Sequence, residues 1–164
     1  MFKKLFGKKE QTKEVVLVAP LTGVATLLEN VDDPVFSQKM MGDGLAVEPT
    51  EGVVVSPVDG EIIQVFPTKH AVGIKAANGA EILLHIGLET VSMKGEGFTA
   101  HVREGDKVKA GDKLVTFDMA VVTEKAKSTV TPLIITNSDA MDIEILASGN
   151  VERGTTPFIK ITAK

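Results

Sequence analysis

Three features of this chain point to an all-β fold, an antiparallel β-sandwich or barrel with short helical segments. Fifteen Gly and seven Pro punctuate its 164 residues at short intervals. Val and Ile far outnumber the aromatic residues, which are seven Phe with no Trp or Tyr. Short apolar runs recur between clusters of turn residues, the pattern of strands at close spacing. A chain of this length needs only one core, and its hydrophobic fraction of 43% and charged fraction of 24% are ordinary for a soluble globular protein.

Residues 1–14, MFKKLFGKKEQTKE, hold five Lys against two Glu, whereas the rest of the chain carries 13 basic and 20 acidic residues. They read as a basic, flexible arm ahead of a single domain over 15–164. Phe2, Leu5 and Phe6 would form one apolar stripe if the arm coiled, a composition suited to peripheral contact with anionic lipid; the alternative is a frayed tail. VVLVAPLTG then opens the strands. DDPVFSQKM carries Pro at a first helical position and predicts a helical turn. LAVEP and GVVVSPVDGEIIQVFP are strand-like, and APLTG at 19–23 and SPVDG at 56–60 share a small-Pro-x-polar-Gly pattern that joins one strand to another. HAVGIKAANGAEILLHIG reads as a hairpin. In FTAHVREGDKVKAGDKLVTFD, the two Gly-Asp steps predict tight turns around a short strand. Residues 118–128 can hold one or two helical turns, and STVTPLIITN and TPFIKI complete the strands.

The composition also excludes functions. With no Cys there is no disulfide, thiolate nucleophile or zinc ribbon. Neither eighteen consecutive apolar residues nor a secretory signal pattern occurs, so a cytoplasmic location is expected. A formal charge of −4 and the lack of Trp and Tyr argue against nucleic acid, which needs a basic face and rings that stack on bases.

Only three His are present: His70, His85 and His101. Asn78-Gly79 is the strongest two-residue hairpin signal and lies between the first two. A two-residue loop pairs Ala77 with Ala80, Val72 with His85 and His70 with Gly87. Alternation then puts His70, Val72, Ile74, Leu83 and His85 on one face and Ala71, Gly73, Lys75, Ile82, Leu84 and Ile86 on the other. The imidazoles become diagonal neighbours with backbones about 7–8 Å apart. Two rings this close suit half a zinc site, an acid/base pair, or a nucleophile with a hydrogen-bonding partner, or they make structural hydrogen bonds. Zinc catalysis normally takes three protein ligands, and neither HxH nor HExxH occurs. No GxSxG elbow supports a serine hydrolase. His101 lies in a charged strand with nothing to bring it to the pair.

The string PTKHAVGIKAANGAEILLHIGLETVSMKGEGF resembles the active-site region of the glucose-type enzyme IIA of the bacterial phosphoenolpyruvate-dependent sugar phosphotransferase system. VVLVAPLTG, DPVFSQKMMGDGLAVEP, SPVDGEI, EKAKSTVTP and TPFIKI extend the resemblance over nearly the whole chain beyond the arm. The resemblance implies an antiparallel β-sandwich and a phosphocarrier: His85 takes a phosphoryl group from the carrier protein HPr and passes it to a cysteine of a IIB domain. It makes His70 the partner of His85 and Thr68 the hydroxyl that tunes His70. The acidic neighbours fall on Asp33 and Glu89, the latter often Asp in the family. The apolar docking surface falls on Phe36, Met40, Met41, Phe66, Leu83 and Val91, with Phe36 and Met40 expected to be exposed around the rings. No cofactor and no metal are implied, and the partners are HPr, the IIB domain of a sugar permease and possible regulatory targets.

Two other classes compete. VREGDKVKAGDKL is reminiscent of biotinyl and lipoyl carrier domains, for which Met93-Lys94 comes nearest to the modified lysine at a hairpin tip. A lysostaphin-like zinc hydrolase is the third reading.

Overall fold

The structure is a computed structural model describing residues 13–164. In chain order the strands are β1 (Glu14–Val18), β2 (Gly23–Leu27), β3 (Asp43–Pro49), β4 (Val53–Val55), β5 (Gly60–Val65), β6 (Ala71–Ala76) and β7 (Glu81–His85), followed by β8 (Phe98–Ala100), β9 (Lys107–Val108), β10 (Lys113–Phe117), β11 (Thr131–Ile135), β12 (Met141–Ile145), β13 (Gly149–Val151) and β14 (Pro157–Ala163). The helices α1 (Pro34–Ser37) and α2 (Met119–Lys125) fall in the two segments read as helical, each capped by the aspartate before it, Asp33 and Asp118. All strand pairs are antiparallel. They build an eight-stranded sheet in the order β13-β2-β3-β11-β7-β6-β5-β9 and two three-stranded sheets, β1-β14-β12 and β4-β10-β8.

The two Pro-Gly turns do more than connect strands. Val18 N–H donates to Pro57 O at 2.8 Å and Val55 N–H to Pro20 O at 2.9 Å, so each turn closes onto the other and ties β1 to β4. Both Gly-Asp steps turn the chain as expected. Gly105 and Gly111 sit at φ +93° and +96°, and the Asp106 and Asp112 carboxylates accept from Arg103 N–H and Lys109 N–H. Glu14 lies within β1, and Lys13 O accepts from Ala163 N–H, so strand pairing starts in the last two residues of the basic segment. The arm's remaining residues, 1–12, lie outside the described residues, and with them the lipid-contact reading.

Alternation along the large sheet sends side chains into two separate cores. Leu45, Val47, Val72, Ile74, Ile82, Leu84, Ile86 and Leu133 pack with Leu17, Leu114 and Phe158 of the smaller sheets in the main core. Their in-between neighbours Ala46, Ala71, Leu83 and Ile134 line the opposite face, where Leu28, Val31, Phe36, Leu88 and Val130 cover them in a second cluster. Truncating a fully buried leucine such as Leu84 to Ala costs about 2–5 kcal/mol. The histidines meet the second, smaller cluster, His85 through Phe36 and His70 through Phe66.

The β6–β7 hairpin forms where Asn78-Gly79 predicts it, but its register differs by one residue. Ala71 pairs with His85, Val72 with Leu84, Gly73 with Leu83, Ile74 with Ile82 and Lys75 with Glu81. Its loop has three residues, because Gly79 N–H donates to Ala76 O at 3.0 Å and Ala76 N–H to Ala80 O at 2.9 Å, with Gly79 at φ +92°. The Asn78 side chain favours this loop: its Nδ2 donates to Lys13 O and Ile161 O, and its Oδ1 accepts from Ala80 N–H. One step of register turns a strand over. Ala71 and Gly73 therefore share a face with Leu83 and His85, while Val72, Ile74, Ile82, Leu84 and Ile86 face the main core, correcting the assignment made for a two-residue loop.

Candidate functional site

His70 reaches His85 because it stands outside the strand. β6 begins at Ala71, and before it the chain makes a tight turn in which Lys69 N–H donates to Phe66 O and Lys69 takes the left-handed φ of +61°. The His70 carbonyl accepts from Ile86 N–H at 2.6 Å, which fastens the residue beside the end of β7. The two imidazole centroids are 5.0 Å apart with ring planes at 80°. The sequence reading thus paired the right residues, although strand alternation is not what brings them together.

Each ring is held on two sides. His85 Nδ1–H donates to Gly87 O at 2.8 Å, and Phe36 packs on the His85 ring with centroids 5.1 Å apart. His70 Nδ1 is bonded to Thr68 Oγ1 at 2.5 Å, and Phe66 meets the His70 ring edge-on at 5.5 Å. A carbonyl only accepts, so Nδ1 of His85 carries the proton and the neutral ring keeps its lone pair on Nε2. Burial lowers the pKa of both histidines. For His70 desolvation and then the neighbouring His85 bring it to about 4; for His85 desolvation lowers it against the opposing pull of the Gly87 carbonyl and the Asp33 carboxylate.

The rings open onto an apolar depression of about 350 Å³. Asp33, Phe36, Met41, Phe66, Leu83, Glu89 and Val91 line it with the histidines, bringing together most of the residues the sequence singled out. Two placements differ from expectation. Phe36 is buried at 3% exposure, because α1 packs its ring into the second cluster and against the His85 imidazole; it supports that ring instead of forming an exposed rim. Met40 is 68% exposed but lies outside the lining, leaving Val35, Met41 and Val91 as the exposed apolar edge. Val35 and Thr90 also line the depression, and sequence reasoning passed over both. Val35 follows the helix-starting Pro34 and was legible as exposed only once α1 was placed. Thr90 is the last residue of HIGLET, but that string gave no sign of what its hydroxyl meets.

His101 is exposed and bonded through Nε2 to Thr116 Oγ1 at 3.0 Å, away from this lining. Met93 is buried, and Lys94 closes a 3-10 turn at φ +58°, so that pair does not occupy a hairpin tip. Among the described residues no group of three or more His, Asp or Glu is gathered for a metal. A larger depression of about 480 Å³ at the Lys75 end of β5 and β6 is lined by Lys75, Lys107, Lys109, Asp59 and Glu61 with small apolar residues, and holds no imidazole.

Residues 15–141 match the family described as phosphoenolpyruvate-dependent sugar phosphotransferase system, EIIA 1. The chain is 61% identical over 165 residues to the PTS system glucose-specific EIIA component of Bacillus anthracis, covering 100% of both, and 52% identical over 164 residues to that of Staphylococcus aureus, covering 99% of both. Among solved structures it resembles the glucose permease IIA from Mycoplasma capricolum, with a TM-score of 0.85 and 44% identity over 90% of this chain and 96% of that one. The chain belongs to the EIIA 1 family of the phosphoenolpyruvate-dependent sugar phosphotransferase system.

Proposed function

We propose that this protein is a cytoplasmic phosphocarrier that takes a phosphoryl group from phospho-HPr onto His85 Nε2 and delivers it to a cysteine of a IIB domain, serving sugar uptake. The observation that carries the reading is the bond from His85 Nδ1–H to Gly87 O, since it leaves Nε2 as the lone-pair nitrogen in a ring that burial keeps neutral. In the first step that lone pair attacks phosphorus, the bond from phosphorus to the donor histidine breaks, and the donor nitrogen keeps the electron pair. In the second a IIB thiolate attacks phosphorus, the P–Nε2 bond breaks, and its electrons return to His85.

His70 supplies a hydrogen bond to the moving phosphoryl oxygens. With Thr68 donating to its Nδ1, the proton of the neutral His70 ring stands on Nε2. A preorganised donor of this kind is worth about 10²–10³ in rate. The apolar surroundings strengthen such bonds and keep water from the phosphohistidine. Asp33 and Glu89 place negative charge beside the depression, which suits a partner with a basic rim. Met41, Val91, Phe66 and Leu83 at the depression, with Met40 beyond it, form the docking surface used in turn by HPr and IIB; methionine adapts to more than one partner. The transfer as written calls on no cofactor or metal. Among the described residues no helix is long and apolar enough to cross a membrane, which accords with a carrier that shuttles between partners.

The test is His85→Gln, incubated with phosphoenolpyruvate, enzyme I and HPr and analysed by intact mass. The wild-type chain is expected to gain one acid-labile phosphoryl group and the variant none, with its fold retained. Full labelling of the variant would refute the assignment.

A further inference from the structure

The carbonyl that sets the His85 tautomer belongs to a loop with its own restraint. Ile86 N–H donates to His70 O at 2.6 Å, and Thr90 Oγ1 donates to Ile86 O at 2.6 Å, so both polar groups of that residue are engaged. Thr90 is completely buried. Beyond it, Leu88 N–H donates to Ser128 O at 2.9 Å and Lys127 N–H to Leu88 O at 3.1 Å, pinning the other side of the loop to the segment that leads into β11. Gly87 lies between these anchors at φ +75°, and a Cβ there would stand 2.6 Å from Thr90 Cγ2 and 2.9 Å from Ser128 O.

We infer that Thr90 is a positioning residue for phosphoryl transfer: its hydroxyl fixes the Ile86–Gly87 peptide, and through it the Gly87 carbonyl that keeps the proton of His85 on Nδ1. The inference rests on His85 being the acceptor. Removing the hydroxyl leaves Ile86 O buried without its partner, and the loop relaxes by turning that peptide. The peptide cannot turn without moving Gly87 O, because the two groups are one residue apart in a loop held at both ends. Once Gly87 O leaves Nδ1, the Nε2–H tautomer fills, and that form has no lone pair at the reacting nitrogen. Thr90 is completely buried and its hydroxyl is spent on Ile86 O, so its effect falls on the fraction of competent His85 and leaves partner binding alone.

The experiment compares Thr90→Val, Thr90→Ser and the wild-type chain by 15N-detected NMR of the imidazoles at pH 8 and by the rate of labelling from phospho-HPr. Thr90→Val is expected to show a substantial Nε2–H population at His85 and about a tenfold lower maximal rate, with the HPr concentration for half-maximal rate unchanged; a tenfold loss corresponds to about 1.4 kcal/mol. Thr90→Ser restores the hydroxyl and is expected to recover both tautomer and rate. A folded Thr90→Val with the wild-type tautomer and rate overturns the inference. Should Thr90→Val fail to fold, Thr90→Ala against Thr90→Ser provides the same contrast, and failure of both hydroxyl-free variants to fold assigns Thr90 to stability alone and also overturns it. The tautomer is read without any phosphoryl transfer. A wild-type chain that is not labelled at His85 therefore refutes the carrier reading, while the spectra still decide the role of Thr90.

Discussion

Burial of His70 should make the stability of this domain depend on pH between about 6.5 and 4. The ring is 4% exposed, and its pKa is lowered from 6.5 to about 4, mainly by desolvation and further by His85. The unfolded chain therefore binds a proton first as the pH falls. Stability from the neutral, buried ring is fully present above pH 6.5 and is lost as the pH falls toward 4. A shift of this size amounts to about 3 kcal/mol in all, with about 2 kcal/mol gone by pH 5. With a urea m-value of about 2 kcal/mol/M, that loss moves the unfolding midpoint by about 1 M. The assay is urea unfolding at pH 7, 6 and 5 for the wild-type chain and His70→Gln, whose amide does not titrate. The wild-type midpoint is expected to fall by about 1 M more than that of the variant, and the His70 ring-proton shifts are expected to stay constant above pH 5. Midpoints that fall in parallel, or a His70 titration near 6.5, would refute the argument that desolvation dominates at this ring. His85 is lowered in the same direction by desolvation, so the decline of acceptance from phospho-HPr on acidification is expected to lie at a lower pH than the 6.5 of an ordinary imidazole.

Two further outcomes follow from the placement of the site. Phe36→Ala removes a buried ring that packs on His85 and is expected to cost about 3–5 kcal/mol and to slow labelling in the fraction that stays folded, read by thermal unfolding and intact mass. Val91→Asp and Met40→Asp change exposed side chains and are expected to alter stability by less than about 0.5 kcal/mol. Each is expected to slow both transfers about tenfold by placing a charge in a desolvated contact. His101→Ala serves as the control with wild-type rates in both directions.

The sequence by itself determined the all-β class, because Gly and Pro interrupt the chain too often for long helices and Val and Ile fill the intervals. It determined both short helices, since Asp33-Pro34 and Asp118 are start signals that act within one turn. The Gly-Asp turns around β9 were legible for the same reason: the Asp carboxylate bonds a backbone N–H three residues earlier, and the bonds these turns make to distant residues, such as Gly105 N–H to Ile62 O and Gly111 N–H to Ser56 O, use other groups. The candidate pair, His70 and His85, was legible from the resemblance carried by PTKH and HIGLET, whereas the hairpin signal located the hairpin between them but placed them on one face through the wrong register.

The tertiary structure decided the register of that hairpin, because Asn78 makes two of its three side-chain bonds to Lys13 and Ile161, residues 65 and 83 positions away. A local turn preference cannot include such partners, and one residue of slip reverses every side chain of a strand. The structure also decided how the imidazoles meet, through the left-handed turn at Lys69 and the bond from Ile86 N–H to His70 O, neither of which has a periodicity. It buried Phe36, which the sequence left as a plausible exposed contact, because only the packed sheet shows that α1 presses this ring onto His85. Thr90 was invisible until the loop closed around Gly87. Whether a threonine is bland or positions a reacting ring depends on which carbonyl its hydroxyl meets, and chain distance does not encode that.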